Sequence, residues 1–232
     1  MRRKPGLVRD VQGVRICMAM SKSPQRWIAA GLGRTLAGIV AVIATVRRPA
    51  KPLHPNGEVV LAELHRTGLR PSIGVQWLDQ AGTETVLARV SRAIGLPDPA
   101  PDIFGLSLRV PADGRHGDLL FASTGLGKRS RFVLQPSLSP FRRPMTTLLP
   151  YRTAHGPMVL AVRATSTQRF ELLCARGAGP WRHVGTLTLA SGGTDAMVSF
   201  DPVRNTVPGL DNYPFIRALR EPAYRVARRI RR

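Results

Sequence analysis

From Gly57 to about Phe200, short runs of β-branched and aliphatic residues alternate with clusters of Gly, Pro and Asp. That spacing limits the fold more than any other feature of the chain. The runs are Glu58 to Leu64, Thr85 to Ser91, Ile103 to Val110, Asp118 to Ala122, Arg131 to Gln135, Pro157 to Val162, Arg169 to Ala175, Arg182 to Leu189 and Met197 to Phe200. Between them, "GLPDPAPD", "PADGRHGD" and "LASGGTDA" supply the residues that turns require. About nine short strands with no helical period among them predict an antiparallel barrel or sandwich. Helical signal is confined to the two ends. In "DNYPFIRALREPAYRVARRIRR", Ala223, Val226, Ala227 and Ile230 fall at i, i+3, i+4 and i+7, one apolar face with arginines around the rest.

The 232 residues, 43% of them hydrophobic, suffice for one domain with a substantial core. Residues 1–23 read as a disordered or non-native extension, because Met18 and Met20 lie just ahead of "SKSPQRW", a helix-start signal. Residues 24–47 read as an N-terminal helix, and 48–232 as a single barrel domain ending in a C-terminal helix. The apolar segment 27–46 is interrupted by Arg34, and its unbroken part, Thr35 to Val46, falls short of the roughly 20 residues a spanning helix needs. A buried or partner-packed helix is expected there, with a signal peptide or a peripheral membrane anchor as alternatives. Two cysteines, Cys17 and Cys174, in unrelated contexts indicate neither a disulfide framework nor a thiolate metal site. A cytoplasmic setting fits, with membrane association through the N-terminal helix as the alternative.

The formal charge of +21 is carried almost entirely by arginine. It attracts nucleic acid, acidic lipid and anionic cofactors alike, so it names no partner. An arginine-rich tail at the end of a helix also suits the helix dipole, which makes nucleic acid the less expected partner. No G-x-S-x-G nucleophile elbow occurs. "GLGKRS" at 125–130 has glycines and a lysine without P-loop spacing, and reads as a hairpin turn. The histidines at 54, 65, 116, 155 and 183 are scattered, and the closest acidic pairing, His116 with Asp118, sits in a turn. His54 is framed differently. In "KPLHPNG", Pro52 and Pro55 stiffen the backbone on both sides of it at the mouth of the first strand.

The order "KPLHPNGEV", "VLARVS" (86–91), "PDIFGLSLRV" (101–110) and "DLLFAST" (118–124) resembles the N-terminal half of the haem-dependent catalase superfamily. "LREPAY" near the C-terminus matches that family's R-x-x-x-Y motif with Arg220 and Tyr224. The resemblance implies a catalase-like β-barrel that binds haem, with peroxidase or hydroperoxide-converting activity on a peroxide or other small molecule. It implies His54 as the distal acid/base and places Ser123 where the distal asparagine would stand, the two forming the catalytic pair. It also implies Tyr224 as the axial iron ligand, with Lys51, Arg89, Phe132, Arg220, Arg228 and Arg231 completing the haem-binding set. On the residues alone, His54 also fits a loop end and Tyr224 the edge of a packing face.

The chain departs from the family in several places. Neither Ser123 nor Thr124 carries an amide, Phe104 stands where a second arginine would be, and residues 136–210 match nothing in the family. Pro222 is expected to leave Arg220 outside the helix that carries Tyr224. These departures keep open a catalase-fold protein that has lost haem chemistry and serves as a binding or structural protein. "FDPVRNTVPGLDNYPF" with "LREPAY" and the His-Pro opening also resembles a group of actinobacterial proteins often labelled phosphodiesterase, a label for which the sequence offers no clustered metal ligands. A basic nucleic-acid or membrane-surface binder is the remaining alternative.

Overall fold

The computed structural model describes residues 57–95, 99–194 and 198–230. The extension at 1–23, the helix at 24–47, and the side chains of Lys51, His54 and Arg231 lie outside the described residues. The described residues belong to one compact unit.

Alternating sequence patterns become four long antiparallel strands in succession: β1 (Gly57–Thr67), β2 (Ala81–Arg92), β3 (Phe104–Ala112) and β4 (Arg115–Ser123). In β3 the alternation is strict, with Phe104, Leu106, Leu108 and Val110 buried and the residues between them half-buried. Two-residue pleat periodicity is what places these four on one face. Asp113 and Gly114 join β3 to β4 with φ of 43° and 71°, the left-handed pair that a two-residue hairpin demands.

After β4 the chain forms short β5 (Met145–Thr146) and β6 (Tyr151–Thr153), then long β7 (Gly156–Ala164), β8 (Arg169–Arg176) and β9 (Arg182–Leu189), and finally short β10 (Asp211–Asn212). Strand β5 bridges β4 to β7, β7 pairs β8, β8 pairs β9, and β9 returns to β1, so eight antiparallel strands close a barrel. Strands β6 and β10 extend the sheet from the edge of β7 that β5 also uses. Opposite Leu172 and Leu173 of β8 the register skips Val184, a bulge in β9 that changes its phase, so that Val184 and Leu187, three residues apart, both turn inward. The barrel interior is the hydrophobic core, filled by residues such as Leu64, Ala88, Leu106, Leu108, Leu119, Leu160, Leu172 and Leu187. Two helices complete the described chain, the single-turn α1 (Gln76–Asp79) and the C-terminal α2 (Pro214–Ile230).

The mainly β, antiparallel barrel expected from the alternation is therefore observed, with its C-terminal helix. Two expected strands are not. The run Arg131–Gln135 instead begins in a 3-10 turn, Ser130–Phe132. The Arg131 guanidinium donates to the carbonyls of Leu126, Gly127, Gly177 and Gly179 and lies 4.2 Å from the centre of the Trp181 ring, which fixes the segment as a turn. Residues 198–200 form no strand either. The glycines of "GLGKRS" lead into this 3-10 turn rather than a hairpin, and β4 pairs β5 beyond it.

The third correction concerns Pro222. The helix runs unbroken from Pro214 to Ile230 with Pro222 inside it, so Arg220 lies in the helix, one turn before Tyr224. An internal proline removes one helical hydrogen bond and costs about 3 kcal/mol. Pro222 is exposed, where water can satisfy the carbonyl it frees, while Ile216 anchors the helix on its buried side.

Candidate functional site

The outward faces of β2, β3 and β4 place two cross-strand rows beneath α2. Register pairs Arg89 with Ser107 and Ser107 with Leu120 in one row, and Ser91 with Gly105, Gly105 with Ala122 and Ala122 with Thr146 in the next. All seven line one cavity of about 300 Å³. Gly105 and Ala122 keep its floor shallow: a Cβ on Gly105 would already lie 3.2 Å from Ser91 Oγ. Leu134, Thr147, Leu148 and Leu149 form one wall and Ser199, Phe200 and Asp201 another. The roof is α2, which contributes Leu219, Arg220, Tyr224 and Arg228. Arg220, Tyr224 and Arg228 recur every four residues, so one stripe of the helix carries a phenol with a guanidinium one turn to either side.

A chain of charges holds that roof to the barrel. Asp118 of β4, buried, accepts a bidentate ion pair from Arg109 of β3 at 2.8 and 2.9 Å. Its Oδ2 also accepts the backbone N–H of Asp201 at 2.7 Å and the side-chain amide of Asn205 at 2.8 Å. Asp201 in turn caps the turn that follows it, accepting from the N–H groups of Val203 and Arg204, and takes Arg228 Nη1 on its other oxygen at 2.5 Å. Arg228 Nη2 reaches Glu221 on the same helix. The hydrogen bond to Asp201, with the charges of Asp201 and Glu221, raises the Arg228 guanidinium above the usual arginine range. This loop can approach β4 because position 117 is glycine; a Cβ there would collide with the Val207 side chain.

On the far side of Arg220 lies Tyr151 of β6, a core residue whose hydroxyl makes no hydrogen bond of normal geometry. Burial pushes its phenol above the ordinary tyrosine range, and the Arg220 charge pulls the other way. Arg220 also reaches Asn212 Oδ1 at 3.5 Å.

Of the residues expected from the sequence, Arg89, Arg220, Tyr224 and Arg228 are brought together at this cavity. Ser123 is not. It is buried, its hydroxyl donates to the Gln135 carbonyl at 2.8 Å and accepts from the Phe104 N–H at 3.2 Å, and it serves to join β4 to the following loop. Phe132 is half-buried in the 3-10 turn and does not line the cavity, whereas Leu134 does. His54, Lys51 and Arg231 lie outside the described residues. His116 is exposed and Asp118 is spent on Arg109, so that pair forms no metal site. Among the described residues no group of three or more His, Cys, Asp or Glu side chains is arranged to hold a metal ion. None of their helices is long and apolar enough to cross a membrane. Sequence reasoning missed Asp118, Asp201 and Tyr151, whose roles depend on partners distant along the chain.

No family model and no curated protein matches this sequence. Solved catalases match its fold. Catalase A from Saccharomyces cerevisiae superposes with a TM-score of 0.58 at 11% identity, covering 83% of this chain and 63% of that one. A fungal catalase gives 0.52 at 11% identity, over 75% of this chain and 58% of its own. The class that fold and topology define is thus a closed antiparallel barrel similar to that of catalases. The chain spans about three-fifths of the catalases it matches, and the likeness is one of fold.

Proposed function

We propose that this chain is a haem-binding protein of catalase-like fold in which Tyr224 would hold the iron. The observation that carries the reading is the stripe of Arg220, Tyr224 and Arg228 on α2, lining the same cavity as Arg89 on β2 opposite. The donor set suits the group. A phenol is a ligand that ferric haem iron accepts, and Tyr224 lines the cavity between Arg220 and Arg228. Arg89 and Arg220 supply cations for the carboxylates of the macrocycle, while Arg228, committed to Asp201 and Glu221, ties the helix down. Leu120, Phe121, Leu134, Leu148 and Leu149 offer an apolar lining that keeps water from the ring faces. At about 300 Å³ the cavity is at the lower end of ligand sites, so a macrocycle would extend partly through its open mouth.

Bound haem would supply redox chemistry toward peroxides, the protein setting its electronics through the axial ligand. In this reading His54 takes a proton from peroxide on its imidazole and returns it to the departing oxygen. With Ser123 occupied in the wall, no second distal donor is assigned from the described residues.

The small cavity and the committed Ser123 hydroxyl favour a second reading: the same arginine-lined cavity holds another anionic, largely apolar ligand without iron chemistry. Haemin titration separates the two. The first reading expects a Soret band at one haemin per chain, lost or strongly shifted in Tyr224→Phe, and absent in Ala122→Phe, which fills the cavity floor. A chain that takes up no haemin, or whose spectrum is the same in Tyr224→Phe, sinks the first reading.

A further inference from the structure

The C-terminal helix turns its polar stripe inward. Arg220, Tyr224 and Arg228 face the cavity, Ile216 is buried at 1% exposure, and much of the apolar side of the helix is left toward solvent. At 100° per residue, Phe215, Pro222 and Val226 fall within an arc of about 40°, with Ala218 beside them. Phe215 is 51% exposed and Val226 56%, and Pro222 and Ala218 are exposed as well. Among the residues of this helix whose side chains are described, the exposed ones are five apolar residues, Pro214 included, and two arginines, Arg217 and Arg225. None of these is acidic: Glu221, the helix's one carboxylate, is half-buried and bound by Arg228, with the largely exposed Arg225 3.9 Å from the same oxygen.

A second copy of the chain or an acidic lipid surface could cover such a strip, and its chemistry favours the lipid. A second copy would bring the same arginines face to face, on chains that each carry +21. A narrow apolar strip about 16 Å long, edged by an arginine and without acids, instead matches what an interfacial helix presents to acidic headgroups, where it sinks only about 5–10 Å. Tyr213 and Phe215, their ring centres 5.8 Å apart, stand at the start of the strip, as aromatic residues do at membrane interfaces.

We propose that α2 is a reversible anchor for an anionic lipid surface, with Phe215, Pro222 and Val226 entering the acyl boundary and Arg225 meeting lipid phosphates. The anchor is independent of what the cavity binds, because the two use opposite sides of the helix.

The test is co-sedimentation of the full chain with phosphatidylcholine vesicles, with and without one-quarter phosphatidylglycerol, in 0.15 M salt. The expected result is at least tenfold stronger partition to the anionic vesicles. That preference should be lost in Phe215→Ser/Val226→Ser, whose thermal unfolding and cavity-ligand binding stay as in the wild type. A second variant, Val226→Trp, should show a blue shift in emission on adding anionic vesicles, beyond any shift of the native tryptophans. Anionic-vesicle binding that survives the double serine change places the contact elsewhere on the chain and overturns the proposal. Absence of wild-type binding overturns it too, as does a concentration-dependent dimer that the double serine change abolishes, since a second copy would then cover the strip.

Discussion

Asp118→Asn tests the connection between barrel and helix with the least change in shape. The carboxylate receives four donors: Arg109 Nε on Oδ1, and Arg109 Nη2, the Asp201 N–H and the Asn205 amide on Oδ2. An asparagine in the same rotamer must point its own NH₂ at one set. Placed at the Oδ1 position it opposes one donor, and at the Oδ2 position it opposes three, so the first orientation is the less costly. Even then one charge-assisted bond becomes a donor–donor contact and the guanidinium of Arg109 loses its buried counter-charge. Breaking a buried pair from one side costs about 3–5 kcal/mol. Arg109 keeps 22% exposure and recovers some hydration, which puts the expected loss near the lower bound, about 3 kcal/mol. For a chain of this size that is a fall in Tm of roughly 6–12 °C. Urea unfolding followed by circular dichroism measures it, and Arg109→Met alone and combined with Asp118→Asn completes a cycle. The two changes should be non-additive by about 1 kcal/mol or more. A single substitution within about 0.5 kcal/mol of wild type, or an additive double variant, would refute the reasoning.

Two further outcomes follow from buried charges elsewhere. Arg131→Lys keeps the charge but loses the planar fork that meets four carbonyls, and should cost about 2–3 kcal/mol in urea unfolding, with a red shift of Trp181 emission as its cationic neighbour withdraws; unchanged stability would show that the fork is immaterial. Burial pushes the Asp79 carboxyl up, but hydrogen bonds from Ser72 and the N–H groups of Ile73 and Val75 outweigh it and leave its pKa below the ordinary 3.8. A carboxylate depressed on folding contributes stability above its unfolded pKa and loses it as pH falls through the folded value. Asp79→Asn should therefore be less stable than wild type at pH 7 and show a flatter loss of stability below about pH 4, read by thermal melts across pH; parallel acid limbs would count against it.

The barrel was legible because β1 and β3 alternate over about seven residues, enough for a period of two to show, while β7 and β8 read as apolar runs bounded by turns. Strands β5, β6 and β10 have two or three residues each, too few for any period; β5 depends on pairing with β4 and β7, β6 on β7, and β10 on β6. The segment "RFVLQ" looks like a strand because its composition is β-prone, and only the carbonyls gathered around Arg131, two of them 46 and 48 residues away, make it a turn. Arg89, Arg220, Tyr224 and Arg228 could be named in advance from motif positions. Asp201 could not, since what it does depends on Asp118, 83 residues earlier, and on Arg228, 27 residues later. Pro222 misled for a related reason: a local rule against proline in helices gives way when the helix is held by contacts on its other side.

The pairing of β1 with β9 has a consequence for biosynthesis. It sets Ala62 against Leu189, whereas the other seams of the barrel join segments that lie close along the chain. During translation the sheet can grow strand by strand, but it cannot become a cylinder until residues near 189 have left the ribosome. Until then two long strands, β1 at one end and β8 at the other, offer unpaired backbone to any neighbouring chain. A nascent chain stalled before β9 emerges should therefore be the species most in need of a chaperone, and a translational pause that holds β9 inside the ribosome should lower the yield of folded protein more than the same pause placed once β9 has emerged.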